Sequence, residues 1–248
     1  AVTAEHERSD IKKLFNNRVS AIAPKEDFIN QANSISTTEP STGLLDVSNW
    51  EAWKNKYLQK SAMQQQWDLI VDEPIPFVYE LPLFTDAFCN EAIELAETAN
   101  KWTLDRHEHY PTNDVLLHEI GLDDIYNRVL KEFVLPMCIN KYTLEGRGWD
   151  SMSSENFMAR YTTERQSHLA LHHDFSHISA VVKLNDDFDG GGTYFPGFDK
   201  VLNPARVGTI AVHPGMITHR HGGRPIYSGK RYILTSFMSN TQGSPGRG

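Results

Sequence analysis

Six short runs decide the fold: NFMARY (156–161), HLALHHD (168–174), HISAVVKL (177–184), GTYFPGF (192–198), VGTIAV (207–212) and RYILTSF (231–237). Each is set off by Gly, Pro, Asn or Asp and is dense in β-branched and aromatic residues. Such spacing predicts strands joined by turns, packed as one antiparallel sandwich or barrel. Upstream the period is helical. Trp50, Trp53, Tyr57 and Leu58 fall at helical spacing in NWEAWKNKYLQK and predict a helix docked by its aromatic face. PIPFVYELPLF (74–84) reads as a short extended run fenced by prolines. Asp86 is placed to cap a helix over 87–99, with Phe88, Ala92, Ile93 and Ala96 on one face. A second helix is predicted over 122–134, its stripe being Leu122, Ile125, Val129 and Phe133, with Pro136 ending it. The expected class is mainly β with flanking helices.

Around these elements the chain divides into four stretches. A polar arm covers 1–46 and contains the linker-like QANSISTTEPSTG. A helical layer covers 47–150, a β core 151–239 and a Gly/Ser/Pro-rich tail 240–248. At 248 residues the chain can bury a core without staples. The formal charge of −8 makes it a poor non-specific binder of nucleic acid, which its own charge would repel. No run is long and apolar enough to predict a membrane span. The start, AVTAEHERSD, has no signal-peptide pattern, so none is expected. Cys89 and Cys138 read as two buried free thiols.

The chemistry gathers in LALHHDFSH. His172 and Asp174 are one residue apart, so on a strand both side chains share a face. An imidazole and a carboxylate on one face are two members of a 2-His-1-carboxylate metal triad. THRHGG (218–223) offers the third in either His219 or His221. Beyond it, Arg231 heads an apolar strand and points with Ile233 and Thr235 into the barrel. A buried guanidinium demands an anion, and arginine grips a carboxylate bidentately. A triad with open positions and an arginine for a dicarboxylic acid are what an Fe(II)/2-oxoglutarate oxygenase requires. Rival clusters are weaker: Asp114 with His118, and the nearby His-Glu-His run (107–109), read as solvated surface. Gly190, Gly191 and Gly192 read as a turn of permissive backbone. Asp186, Asp187 and Asp189 read as a solvated acidic loop.

The segments EAWKNKYL, ELPLFTDAFCNEAIE, RYTTERQSHLALHHD, LNDDFDGGGTYF and VHPGMITHRHGGRPIYSGKRYILTSF carry a more specific signal. Over about 48–239 the chain resembles the catalytic domain of the procollagen lysyl hydroxylases. The resemblance implies a double-stranded β-helix (jelly-roll) core, with His172, Asp174 and His221 as iron ligands. It implies that Arg231 binds the distal carboxylate of 2-oxoglutarate, with Tyr161 helping to hold it and Ser179 facing the co-substrate. His173 and His219 would sit beside the ligands. The implied activity is hydroxylation of peptidyl lysine at C5 in collagen-like Gly-X-Lys sequences, through ferryl-oxo hydrogen abstraction, with release of succinate and CO2. Fe(II), 2-oxoglutarate, O2 and ascorbate are the implied cofactors. The family further suggests the endoplasmic reticulum lumen and allows a homodimer. Asp187 and Asp189 are candidates for meeting a lysine at the site entrance. The chain departs from the family pattern at Val181, where an asparagine is usual. It departs again at Thr193 and around Asp199, where a cysteine pair is missing, and in Phe175, Ser176 and His177 after the His-His-Asp run. The alternatives are a prolyl, other peptidyl or small-molecule oxygenase, and an inactive jelly-roll binding module.

Overall fold

The computed structural model describes residues 43–106 and 110–240. The arm up to residue 42, the His-Glu-His run and the tail from residue 241 lie outside the described residues. Every predicted β run contributes a strand. The strands are β1 (Asp72–Ile75), β2 (Val78–Pro82), β3 (Asp114–Leu116), β4 (Met152–Thr162), β5 (Leu169–His172) and β6 (Ile178–Lys183). They continue with β7 (Phe188–Gly190), β8 (Thr193–Phe195), β9 (Lys200–Leu202), β10 (Thr209–Pro214), β11 (His221–Gly223) and β12 (Ile226–Asn240). The main sheet runs β1-β2-β10-β6-β12-β4-β3, with β7 pairing the start of β12, and the smaller sheet runs β5-β11-β8-β9. All pairings are antiparallel, and two such sheets face to face form the jelly roll. Both edge strands of the main sheet, β1 and β3, are short and come from before residue 150, which limits the open edge a sheet offers to other chains.

Strand alternation divides the main sheet into two faces. Met158, Ala180, Val182, Ile210, Val212, Leu234 and Met238 pack outward into the large core shared with the helices. Their neighbours Phe157, Ala159, Tyr161, Val181, Arg231, Ile233, Thr235 and Phe237 turn inward and line a cavity. A one-residue slip would exchange the two sets, so the apolar outer set fixes the register that aims the inner one.

Helices of the described residues cover the outer face. In α1 (Trp50–Tyr57), Trp53 and Tyr57 are fully buried, with ring centroids 4.9 Å apart. In α2 (Asp86–Ala99) the cap is Thr85 rather than Asp86. Thr85 is extended and its hydroxyl accepts from the Phe88 amide, while Asp86 sits inside the first turn, where its charge favours the helix dipole. Phe88, Cys89, Ala92 and Ala96 are buried there, and Ile93 only partly. The expected stop at Pro136 does not occur. After α3 (Asp123–Val129) the chain widens into a π turn over Leu130–Val134 and continues as α4 (Leu135–Tyr142), with Pro136 in the first turn of α4. The proline thereby occupies a helix start, where its missing N–H costs least. Both cysteines are free and buried. No helix of the described residues is long and apolar enough to cross a membrane.

Candidate active site

β5 and β11 pair so that His172 lies directly opposite His221. Strand β5 ends at His172, so Asp174 stands in the loop beyond it rather than on the strand. What aims Asp174 is therefore not strand alternation. Its carbonyl accepts from the Met216 amide at 2.7 Å, and the Ser179 hydroxyl close to its carboxylate favours the charge. His172 Nε2 lies 3.1 Å from Asp174 Oδ1 and His221 Nε2 lies 3.6 Å from Oδ2. The three ligand atoms fall within 4.8 Å of one another.

Backbone carbonyls orient both imidazoles. His172 Nδ1–H donates to Ala170 O at 2.8 Å, and His221 Nδ1–H donates to His219 O at 2.9 Å. With each Nδ1 proton so fixed, each Nε2 turns toward Asp174 and is the nitrogen a metal would take. His219 differs. Its Nε2–H donates to Pro76 O and its Nδ1 accepts from the Thr218 hydroxyl, so both nitrogens are spent. Of the two candidates in THRHGG, that hydrogen bonding leaves His221 as the one whose Nε2 faces Asp174.

Burial works against the Asp174 charge, but the His172 hydrogen bond and the nearby His221 and His213 rings hold its pKa well below the usual carboxylate range. For His221, burial and the neighbouring His213 push the pKa down to about 3. Burial also opposes protonation of His172, yet its Asp174 hydrogen bond and Ala170 contact raise its pKa. His213, in VHPG, stands beside this site without any local sequence pattern that marks it. The residue is buried, its Nδ1–H donates to Pro214 O at 2.9 Å, and its Nε2 is unpartnered 4.0 Å from Asp174 Oδ2.

On the other wall, Arg231 pairs with Tyr161 across β12 and β4, its guanidinium 5.1 Å from the Tyr161 ring centroid. Arg231 is only 6% exposed, and no carboxylate of the described residues forms an ion pair with it. Burial lowers its pKa and raises that of Tyr161. Gly190, Gly191 and Gly192 all have positive φ, and a Cβ on Gly191 would come within 3.1 Å of Arg231 Cδ. The permissive turn thus lets backbone pack against the arginine stem. A cavity of about 290 Å³ joins Arg231 and Tyr161 to His172, Asp174 and His221.

Other expected residues fall elsewhere. His173 is exposed at the cavity wall. Ser179 is fully buried against Ser176 and Asp174 and does not line the cavity. Val181 does line it. Asp187 and Asp189 are exposed and outside the cavity wall, and Asp189 accepts from the Ser228 hydroxyl at 2.7 Å. Asp186 pairs with Lys183. Asp114 is not solvated surface but fully buried, held by Arg106 and Thr112, while His118 is exposed.

Two imidazole nitrogens and one carboxylate on the wall of one cavity fit Fe(II). The buried cation within that cavity fits a dicarboxylate. Among solved structures, a prolyl hydroxylase from Trichoplax adhaerens in complex with a hypoxia inducible factor peptide fragment shares the fold. Its TM-score is 0.53 at 11% identity over 78% of this chain and 94% of that one. A prolyl 4-hydroxylase from Phytophthora capsici gives 0.52 at 14% identity over 86% and 72%. Three donor atoms within 4.8 Å of one another, in one cavity with a buried guanidinium, make a site that could hold a metal ion beside an anion. No family model matches the chain. Sequence relatives narrow the class. Procollagen-lysine,2-oxoglutarate 5-dioxygenase 2 of Mus musculus is 32% identical over 222 residues, covering 82% of this chain and 30% of the relative. Procollagen-lysine,2-oxoglutarate 5-dioxygenase 1 of Homo sapiens is 32% identical over 219 residues, covering 83% and 30%. The chain belongs to the procollagen lysyl hydroxylase family, and it spans about 30% of the length of these curated relatives.

Proposed function

We propose that this chain hydroxylates peptidyl lysine to 5-hydroxylysine in collagen-like Gly-X-Lys sequences, using Fe(II), 2-oxoglutarate and O2. The observation that carries the oxygenase half is Arg231, a buried guanidinium without a carboxylate partner, in one cavity with the His172, Asp174 and His221 donors. The lysyl half rests on the sequence relationship to procollagen-lysine dioxygenases.

Iron with 2-oxoglutarate supplies the oxidising power for an unactivated C–H bond. The protein binds, orients and shields. His172, Asp174 and His221 would hold the metal, and the Ala170 and His219 carbonyls keep the two rings turned inward. Arg231 fixes the distal carboxylate of 2-oxoglutarate, with the Tyr161 ring against the guanidinium and Ile233 and Val181 excluding water. Ser179 steadies the Asp174 carboxylate from behind. Ascorbate would restore over-oxidised metal, and the endoplasmic reticulum lumen is the compartment proposed for this chemistry.

The test is succinate release from 2-oxoglutarate with Fe(II) and ascorbate, using a Gly-X-Lys peptide, a Gly-X-Pro peptide and no peptide, with His172→Ala as control. Stimulation by the lysyl peptide, with one oxygen atom gained on lysine, is expected. Stimulation only by the prolyl peptide would reassign the substrate. No turnover despite bound metal would overturn the enzyme reading.

A further inference from the structure

A lysine hydroxylated at C5 carries its ammonium only two bonds beyond the reacting carbon. The charge must therefore enter the cavity close to the metal ligands. Among the described residues that line it, the only carboxylate is Asp174, which the metal takes. Asp187 and Asp189 lie outside the wall. The ammonium needs another partner, and an aromatic face is the usual substitute for a carboxylate.

The cavity's aromatic rings are not equivalent. Tyr161 faces the Arg231 guanidinium. Phe157 is covered by Arg106 at 5.1 Å and packs on Phe237 at 5.4 Å. Phe175 is 87% exposed at the rim. Tyr110 alone of the described lining rings abuts a metal ligand while carrying no cation. Its centroid lies 5.0 Å from that of His172, and it is 41% exposed, open to an incoming chain. The segment after it is clipped in place. Gln166 donates to Pro111 O at 2.6 Å and accepts from the Asn113 amide at 2.7 Å.

We propose that Tyr110 is a specificity-determining residue that receives the ε-ammonium of the substrate lysine on its ring face. This rests on the lysyl hydroxylase reading above. It predicts that the protein distinguishes lysine from norleucine, which has the same carbon chain without the charge, and that the ring rather than the phenolic hydroxyl makes the distinction.

The experiment compares affinities of Gly-X-Lys and Gly-X-norleucine peptides for protein loaded with Mn(II) and 2-oxoglutarate, in wild type, Tyr110→Phe and Tyr110→Leu. Wild type should prefer the lysyl peptide by roughly 3- to 30-fold, Tyr110→Phe should keep that preference, and Tyr110→Leu should lose it. Norleucine peptide affinity should change little across the three. A Tyr110→Leu protein that keeps the full preference, or a wild type without one, overturns the assignment. So does an equal loss for both peptides, which would make Tyr110 a general wall. Turnover of the lysyl peptide by wild type, run in parallel, separates the two levels. Turnover without a Tyr110 effect leaves the lysyl reading standing, and absent turnover fails that reading itself.

Discussion

The two ends of the cavity solve opposite electrostatic problems. At the metal end, short strands β5 and β11 and the loop after β5 gather one carboxylate and several imidazoles, and nearly every polar atom has a protein partner. At the other end, the long strands β4 and β12 bury a single guanidinium among apolar side chains with no carboxylate to neutralise it. The first end is organised before a ligand arrives. The second is left incomplete for an anion to complete. Desolvating a cation without a partner costs stability that the folded chain recovers only on binding.

That contrast can be broken at either end, and the metal end should give the largest effect. Asp174→Ala or His221→Ala should weaken Mn(II) or Co(II) binding by ~100-fold or more in calorimetric titrations, because each removes a direct donor. At the other end, Arg231→Met should weaken 2-oxoglutarate binding by about 100-fold yet stabilise the ligand-free protein by about 1–2 kcal/mol. Its Tm should rise while the further rise on adding 2-oxoglutarate disappears. A fall in ligand-free Tm would show that the guanidinium is satisfied without its anion.

Smaller effects sharpen the comparison. Ser179→Ala removes a hydroxyl that favours the Asp174 charge and should cost metal affinity about 10-fold, with 2-oxoglutarate affinity measured on metal-loaded protein little changed. His219→Gln should leave metal affinity within about 3-fold and cost about 1 kcal/mol of stability through its bond to Pro76 O. Metal loss comparable to His221→Ala would reverse the ligand assignment. Glu91, outside both ends, accepts from Tyr57 OH at 2.6 Å and pairs with Lys56 at 2.8 Å. Burial opposes its charge, but Lys56 and Tyr57 outweigh burial and lower its pKa. Its contribution is therefore present above the unfolded value near ~4.3 and fades as pH falls through the folded one. The stability gap to Glu91→Gln in urea titrations should be widest near neutral pH and narrow as pH falls below the unfolded value.

Much of the site was legible because strand alternation and local motifs are properties of neighbouring residues. Arg231, Ile233 and Thr235 share a face in the structure as their spacing demands. The helix over 87–99 was legible for the same reason. Its cap was not, since Thr85 and Asp86 are both good capping residues and only the backbone angles separate them. The continuation past Pro136 was hidden because a π turn leaves no distinct sequence mark. Asp114 was misread because its partner Arg106 is fixed by the fold, not by the local pattern.

By itself the sequence determined the strand-rich second half, the closeness of His172 and Asp174, and an arginine on one face with Ile233 and Thr235. Those follow from period and residue chemistry, which act over a few residues. Only the tertiary structure decided that His221 rather than His219 has a free nitrogen, that His213 faces the same carboxylate, and that the acidic loop stands outside the cavity. Each of these depends on which backbone carbonyl or distant strand comes within hydrogen-bonding distance. Pairing residues far apart in the chain settles that, and no local pattern encodes it.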